Sequence, residues 1–190
     1  MSNDPTPDLI SAERAVQSLL QSFHVDEGDH TAGTPHRVAK AWADMLAGYR
    51  EDPRDHLAVT FSAPRNPGLV IVRGVRVQST CAHHMLPITG MATVAYRPRP
   101  GSPVVGLSKI ERLVEGYARR LQVQERITSQ VVTAIADVLD PVWAACAITA
   151  EHGCMTLRGV RDEHSDTLTY LDTGEPTSSD RTAFWEAHRG

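Results

Sequence analysis

The feature that most constrains the fold is a change in the spacing of apolar residues near position 69. Before it, apolar residues recur with helical spacing, as they do over residues 9–23. After it come short β-rich runs, interrupted by glycine and proline, at residues 69–77, 90–96 and 142–149. Two helical patterns, over residues 109–121 and 124–139, separate the second run from the third. This order predicts an α+β fold in which two N-terminal helices precede a sheet with paired helices.

The segments outside this region give weaker signals. Residues 1–8 are predicted to be disordered. Thr34 is the expected N-cap of the second helix, with Pro35 in the first helical position. Residues 51–67 are predicted to form a connector, and the sequence after residue 174 predicts a loop followed by a terminal helix.

Composition and charge exclude several classes of function. The net charge is −4 and the isoelectric point about 6.1, so a general binder of nucleic acid or of membranes is not expected. No basic-then-apolar segment opens the chain, and the longest apolar stretches are too short to span a bilayer. Three cysteines, an odd number, give no disulfide framework. The sequence therefore predicts a cytoplasmic protein whose thiols are reduced and free to bind a metal ion.

Residues that can bind a metal ion occur in two separate segments. Residues 81–84 read Cys-Ala-His-His, and a turn there would bring Cys81 and His84 to one side. Residues 150–160 are predicted to form a strand, whose alternate residues share a face. These alternate residues are His152, Cys154, Thr156 and Arg158. Cys81, His84 and Cys154 then make a two-sulfur, one-nitrogen set that suits zinc and leaves a fourth position open to water.

Other readings of these residues stay open. A closed structural metal site would use His83 or His152 as its fourth ligand. A single cysteine is most often a small buried hydrophobic residue, and this is the interpretation for Cys146, which lies in an apolar run.

A potential anion site and a potential base-reading site follow each other further along the chain. Ser108 precedes a helical pattern whose first turns contain Lys109 and Arg112, and a helix N-terminus with these cations would suit a phosphate. The alternative is a surface helix with ordinary solvated charges. Gln124 and Glu125 begin the next helix, where a carboxylate could accept two hydrogen bonds from guanine. Acidic residues are, however, favoured in first helical turns for any function.

Five motifs, in their order and spacing, resemble the GTP cyclohydrolase I family: TPHRVAK, STCAHH, GLSKIERL, QVQERIT and EHGCMTLRGVRD. The resemblance runs from about Thr34 to Thr169. It implies a tunnelling fold (T-fold), an antiparallel sheet with two packed helices, as the catalytic domain over residues 67–190. Residues 1–66 would form an N-terminal helical extension. Such subunits assemble into a barrel-like ring, usually a homodecamer of two stacked pentamers with active sites between subunits.

The resemblance also implies a reaction and the residues that perform it. Water attacks C8 of GTP, C8 leaves as formate, and a pterin ring closes to give 7,8-dihydroneopterin triphosphate, the entry to folate and tetrahydrobiopterin. Matched by motif, Cys81, His84 and Cys154 would bind Zn2+, which would lower the pKa of its bound water. His152 would protonate the purine at N7, and His83 would assist opening of the ribose.

The substrate-binding residues follow by the same matching. Gln124 and Glu125 would read the guanine edge. The residues that would hold the triphosphate are Ser108, Lys109, Arg112 and Arg158, with Arg37 contributed by a neighbouring subunit.

Two features depart from the family pattern. Ala82 stands where the family usually has glutamate, and loss of a carboxylate beside a metal typically changes affinity or activity by about 10–100-fold. The second departure is in the tail, where the closing segment usual for the family is not expected after residue 174. Two alternatives to the enzyme therefore stay open: a specialised or catalytically impaired paralogue that binds GTP, and an enzyme that stops at a formamidopyrimidine product.

Overall fold

Two helices form the N-terminal part of the protein. The structure is a computed structural model and describes residues 6–25 and 28–190. Helix α1 (Leu9–Ser22) and helix α2 (Thr34–Met45) pack against each other. Asp8 caps α1, because its side chain accepts a hydrogen bond from the backbone N–H of Ser11 at 3.0 Å. The helix predicted over residues 9–23 is thus confirmed, whereas most of the predicted disorder over residues 1–8 lies outside the described residues.

The start of α2 differs by one residue from the prediction. Gly33 is the N-cap and gives no side-chain hydrogen bond, so the expected capping role of Thr34 is wrong. Pro35 does lie in the first turn, where its missing N–H costs nothing.

A five-stranded sheet forms the centre of the protein. Its strands are β2 (Val70–Cys81), β3 (Pro87–Arg97), β5 (Leu121–Gln122), β6 (Trp143–His152) and β7 (Thr167–Gly174). Across the sheet they lie in the order β5-β2-β3-β6-β7. All neighbouring pairs are antiparallel except β2 with the two-residue β5. A separate pair joins β1 (Thr60–Ser62) to β4 (Pro103–Val105).

Helices cover both faces of this sheet. On one face lie α3 (Leu107–Ala118) and α4 (Gln124–Leu139), whose apolar sides form the main core with the sheet. On the other face lies the terminal helix α6 (Ser178–Arg189), which buries Phe184 against Trp143 and neighbouring alanines. The α+β arrangement predicted from the sequence is confirmed, with the antiparallel sheet and two packed helices that the T-fold requires.

Residues 47–62 contain structure that periodicity did not reveal. The predicted connector contains a 3-10 helix (Pro53–Leu57) and β1, and another 3-10 helix (Ala47–Arg50) precedes it. Because β1 pairs with β4, the N-terminal part of the chain joins the rest through a strand pair. The division into residues 1–66 and 67–190 stays a prediction.

The strand predicted over residues 150–160 is wrong beyond His152. β6 ends there, and a short helix, α5 (Gly153–Thr156), follows. The register explains the end: His152 pairs with Ile88, next to Pro87, which begins β3 and has no N–H to donate. A Cβ at Gly153 would lie 3.0 Å from the Pro87 ring, so only glycine fits easily at this close approach.

None of the helices in the described residues is long and apolar enough to cross a membrane.

An ion pair between a half-buried arginine and a buried aspartate joins the terminal helix to the sheet. The carboxylate of Asp180 accepts hydrogen bonds from the guanidinium of Arg97 and, at 2.9 Å, from the backbone N–H of Thr177. Thr177 in turn caps α6 through its hydroxyl, which completes a capping box. The Arg97 guanidinium lowers the pKa of the Asp180 carboxyl to about 2.

This pKa predicts a stability that depends on pH. The folded-state pKa of Asp180 lies below its unfolded value, so its charge stabilises the fold above about pH 4, and this contribution falls as the pH drops towards 2. The difference in unfolding free energy between the wild type and Asp180→Asn should therefore shrink by about 2 kcal/mol between pH 5 and pH 2.

Denaturant unfolding of the metal-free proteins at several pH values measures this difference. The matched control is Asp140→Asn, which removes an exposed carboxylate that pairs with Arg99 and should show no such trend. A difference for Asp180→Asn that does not change with pH would contradict the assignment.

Candidate active site around a two-cysteine, one-histidine cluster

A tight turn between β2 and β3 presents the first half of the cluster. The N–H of Met85 donates to the carbonyl of Cys81 at 2.8 Å, and the N–H of Cys81 donates to the carbonyl of Leu86 at 2.8 Å. Met85 has φ of 56°, in the left-handed region, so the chain reverses sharply. The backbone of Ala82 is tied to β5 through its N–H, which donates to the carbonyl of Gln122. This turn brings Cys81 and His84 to one side, as the sequence predicted.

The second half comes from the helix that follows β6. Cys154 lies in α5, and its sulfur, the sulfur of Cys81 and a ring nitrogen of His84 all lie within 4.8 Å of one another. The Sγ of Cys81 is 4.0 Å from Nδ1 of His84. Cys81 is buried, Cys154 half-buried and His84 exposed, so the group opens towards solvent on the histidine side.

These three residues fit a zinc ion by donor chemistry and by spacing. Two thiolates and an imidazole are typical zinc ligands, and around a tetrahedral ion such donor atoms lie about 3.5–4 Å apart. The observed separations, up to 4.8 Å, require only a small contraction. A fourth position on the exposed side would be accessible to water.

Without a cation, the surroundings of Cys154 favour its neutral thiol. Burial, together with the adjacent Cys81 thiol, raises the pKa of the Cys154 thiol, while the Arg158 guanidinium opposes that rise. A divalent ion reverses this balance, because it favours the thiolate forms and displaces the protons. Cys146 behaves differently: complete burial raises the pKa of its thiol to about 12, which agrees with its interpretation as a core residue.

Two further histidines lie beside the cluster. Nδ1 of His83 is 4.0 Å from the Sγ of Cys81, and the rings of His83 and His84 meet edge to face with centroids 6.3 Å apart. Both imidazoles thus approach the sulfur of Cys81, with their ring planes nearly perpendicular. His152, the last residue of β6, is half-buried, and burial lowers the pKa of its imidazole, against an opposing effect of Glu125.

Gln124 fixes the orientation of His152. Its Oε1 lies 2.7 Å from Nε2 of His152, and since an amide oxygen only accepts, Nε2 is the nitrogen that bears hydrogen. The amide cannot turn round, because its Nε2 donates to three oxygen atoms: the carbonyls of Ile148 and Thr167 and the hydroxyl of Thr169. Nδ1 is then the free ring nitrogen of His152. Sequence reasoning missed this holding role, since threonines in a strand carry no distinctive spacing.

The residues assigned to the base occupy the first turn of α4. Glu125 is exposed there, next to the buried Gln124, and α4 begins at the residue that the sequence predicted. The side chain of Gln124 has all its polar atoms engaged within the chain, whereas the carboxylate of Glu125 faces solvent. Of the two, only Glu125 presents a side chain that can accept hydrogen bonds from a base in this conformation.

The residues assigned to the triphosphate are divided between two regions. Arg158 lies at the cluster, with its Nη1 2.6 Å from Nε2 of His84. Ser108, Lys109 and Arg112 lie in the first turns of α3, whose N-cap is Gly106, so Ser108 is inside the helix and does not precede it as predicted. Among the described residues, no hydrogen bond or ion pair joins these three side chains to the cysteines or histidines of the cluster.

The direction of α3 explains this separation. Just beyond its C-terminal end, the carbonyl of Arg120 accepts a hydrogen bond from the hydroxyl of Ser79, close to Cys81 in β2. The N-terminal turn of this 12-residue helix is therefore about 18 Å away from that end. Arg37 lies on α2, where its guanidinium donates to the carbonyl of His30 at 3.1 Å.

The fold and the cluster together define a class: an α+β protein that can hold a metal ion between two thiolates and an imidazole, with His83 and His152 close to these residues in the sequence. The chain belongs to the GTP cyclohydrolase I family, whose sequence pattern it matches over residues 12–188. That match extends to the last turn of α6, so the expectation that the closing segment of the family is missing was wrong.

Several proteins named GTP cyclohydrolase 1 are similar to this chain over most of its length. The one from Desulforamulus reducens is 44% identical over 163 residues, which cover 85% of this chain and 86% of the relative. The one from Brucella anthropi is 45% identical, covering 89% and 79%, and the one from Thermobifida fusca is 41% identical, covering 93% and 82%. Among solved structures, the apo form of archaeosine synthase QueF-Like covers 58% of this chain and 98% of its own, at 15% identity and a TM-score of 0.47, a likeness too slight to support an argument.

The buried amide of Gln124 predicts a large effect on stability. Gln124→Leu would leave the carbonyls of Ile148 and Thr167 without this donor and the imidazole of His152 without its acceptor. The free energy of unfolding should fall by about 3 kcal/mol. The matched control is Glu125→Gln, one residue further along the same helical turn, which is exposed and should change stability by less than about 0.5 kcal/mol. Denaturant unfolding measures both, and equal effects would contradict the buried network.

Proposed function

We propose that this protein is a zinc-dependent GTP cyclohydrolase that opens the imidazole ring of GTP and releases formate and 7,8-dihydroneopterin triphosphate, the first step of pterin and folate biosynthesis. The observation that supports it most is the meeting of Cys81, His84 and Cys154 within 4.8 Å in a chain of this family. These residues are proposed as the metal ligands. A zinc ion bound there would activate a water molecule for attack at C8 of the purine.

The protein's own side chains would manage the protons of the reaction. His152 is proposed to protonate N7 of the purine from its imidazolium form. Because Gln124 holds the hydrogen on Nε2, the proton gained and then transferred would be carried by Nδ1. His83, whose imidazole also lies near the sulfur of Cys81, is proposed to assist opening of the ribose ring. An open metal position is preferred to a closed structural site, since His152 is already held by Gln124 and the group of ligand atoms within 4.8 Å of one another comprises Cys81, His84 and Cys154 without His83.

Recognition of GTP would use the first turn of α4 for the base and a separate set of residues for the triphosphate. Glu125 is proposed to accept the N1–H and the amino group of guanine, with Gln124 acting mainly as the support of His152. The anion-binding residues are proposed to be Ser108, Lys109, Arg112, Arg158 and Arg37. A compartment that keeps thiols reduced, such as the cytoplasm, would suit the two ligand cysteines.

The separation of these residues supports a homo-oligomer with shared active sites. The N-terminal turn of α3 lies one helix length, about 18 Å, from the end of α3 that contacts β2 near Cys81, so a neighbouring copy is proposed to supply Ser108, Lys109 and Arg112. The sheet offers a means of joining copies, because β7 is its last strand and β2 is covered by β5 only at Thr80 and Cys81. A groove of about 770 Å³ runs along β2 beside α3. A ring closed by β2 and β7, in the decamer usual for the family, is therefore proposed.

Turnover and product analysis test the activity. Zinc-loaded protein should release formate from GTP in many turnovers and give a product that oxidises to fluorescent neopterin. Cys154→Ala should lose both bound zinc and formate release, because it removes one of three proposed ligands. Cys146→Ala, which shortens a buried cysteine outside the cluster, is the matched control and should keep both. Absence of formate from the zinc-loaded wild type would refute the proposal.

Two other outcomes of this assay correspond to alternatives. Ala82, in place of the glutamate usual for the family, is the observation that favours an impaired GTP-binding paralogue, and GTP binding without turnover would support it. Mass analysis of the product would reveal a reaction that stops at a formamidopyrimidine, since the product would then keep C8 as a formyl group and lack the second ring of the pterin. The presence of all three metal-ligand residues with His83 and His152 favours the complete reaction.

The assembly has its own test. In light scattering after gel filtration, the wild type should have a mass that is a multiple of the 20.8 kDa chain, and ten copies are expected. Leu171→Lys places a charge at the outer strand β7, where the leucine is 40% exposed, and should weaken assembly. Val138→Lys, on α4 and 36% exposed, is the matched control. A wild type that elutes as a single chain would contradict the shared active site.

A further inference from the structure

Arg158 makes a hydrogen bond with the imidazole of His84, which is also a proposed metal ligand. Nη1 of Arg158 lies 2.6 Å from Nε2 of His84, and a guanidinium has only donors and keeps its charge in proteins. Nε2 must therefore supply a lone pair to this hydrogen bond. A neutral imidazole has a single ring nitrogen with a lone pair, since the other bears hydrogen. The contact with Arg158 uses the only lone pair that His84 has.

A metal ion at the cluster needs that same lone pair. If the ion binds through Nε2, it directly replaces the guanidinium. If it binds through Nδ1, which faces the Sγ of Cys81 at 4.0 Å, the hydrogen must lie on Nε2, and two N–H groups would then oppose each other at 2.6 Å. Coordination by either nitrogen excludes the contact with Arg158.

We propose that Arg158 alternates between two partners: the imidazole of His84 in the metal-free protein, and the triphosphate of the substrate once the metal is bound. The proposal rests on the proposed function, because it takes the metal site and the triphosphate role of Arg158 from it. Metal binding would release the guanidinium of Arg158, and guanidinium groups bind phosphate groups well. Binding of the metal and binding of the triphosphate therefore strengthen each other, and linkage requires that the factor be the same in both directions.

The expected size of the coupling between metal binding and triphosphate binding depends on how exposed Arg158 and His84 are. Couplings between sites commonly amount to about 5–150-fold, and contacts open to solvent are weak because water competes for both groups. Arg158 and His84 are both exposed, so the expected coupling is at the low end, about fivefold.

The metal-free protein gives the sharpest test, because the metal itself binds polyphosphates in solution. The probe is inorganic triphosphate, measured by titration calorimetry in metal-depleted buffer. His84→Ala removes a metal ligand, yet it should bind triphosphate about fivefold more tightly than the wild type, since Arg158 no longer has its internal partner. In an Arg158→Met background, His84→Ala should change nothing. Cys81→Ser, which also removes a metal ligand but leaves the contact intact, is the matched control and should resemble the wild type.

A second measurement leaves His84 unchanged and keeps the test valid should that variant fail to fold. In phosphate-free buffer, competition with a chromogenic chelator should show that Arg158→Met binds zinc about fivefold more tightly than the wild type. Arg161→Met removes a positive charge three residues further along the same segment, and a gain of less than about twofold there separates the contact from general repulsion of the cation.

Each result has a defined meaning. Three results would overturn the proposal. The first is equal triphosphate affinity of the wild type and His84→Ala, and the second is a gain in triphosphate affinity from His84→Ala that persists with Arg158→Met. The third is an equal gain in zinc affinity for Arg158→Met and Arg161→Met. Failure of every variant to bind triphosphate would overturn it as well. Formate release by the zinc-loaded wild type is measured separately, so turnover without coupling refutes only the coupling, and coupling without turnover refutes only the proposed activity.

Discussion

The candidate site depends on the register between β2, β3 and β6. Thr80 pairs with Pro87 and Ile88 pairs with His152, so β2 and β6 end at the same edge of the sheet on either side of β3. The turn after β2 and the helix after β6 therefore face each other across one strand. A shift by one residue in either pair would reverse the side chains of that strand and separate the two sulfur atoms. The backbone ladder, and not any contact between the ligands, determines the position of the metal cluster.

Local patterns predicted those parts of the fold that depend on local forces. The start of α4 at Gln124, the terminal helix and the strand runs followed from apolar spacing and turn residues, because both signals are local in the sequence. The turn at Cys81 and His84 followed from the spacing of two ligands. The five motifs and their family resemblance supplied roles that no periodicity contains.

The errors share a physical cause, which is contact between residues distant in sequence. Residues 152–158 alternate as a strand would, but the partner strand begins with a proline at that level, so the pairing ends and α5 forms. β1 has three residues and exists only because β4 lies beside it. The hydrogen bonds of Gln124 run to β6 and β7, and only the folded sheet brings these oxygen atoms to one amide.

Two of the three histidines of the site, His152 and His84, differ in how firmly the protein holds them. His152 is bonded to the buried amide of Gln124, whose own hydrogen bonds are complete. Breaking such a network leaves several buried polar groups without hydrogen-bond partners. The contact between His84 and Arg158 is exposed, so water can replace either partner at little cost. A firmly held imidazole would suit proton transfer to a fixed atom. A guanidinium that is proposed to bind an incoming triphosphate would suit an internal contact that breaks easily. The difference in burial therefore separates His152, which is held in place, from His84, whose contact with Arg158 can be exchanged.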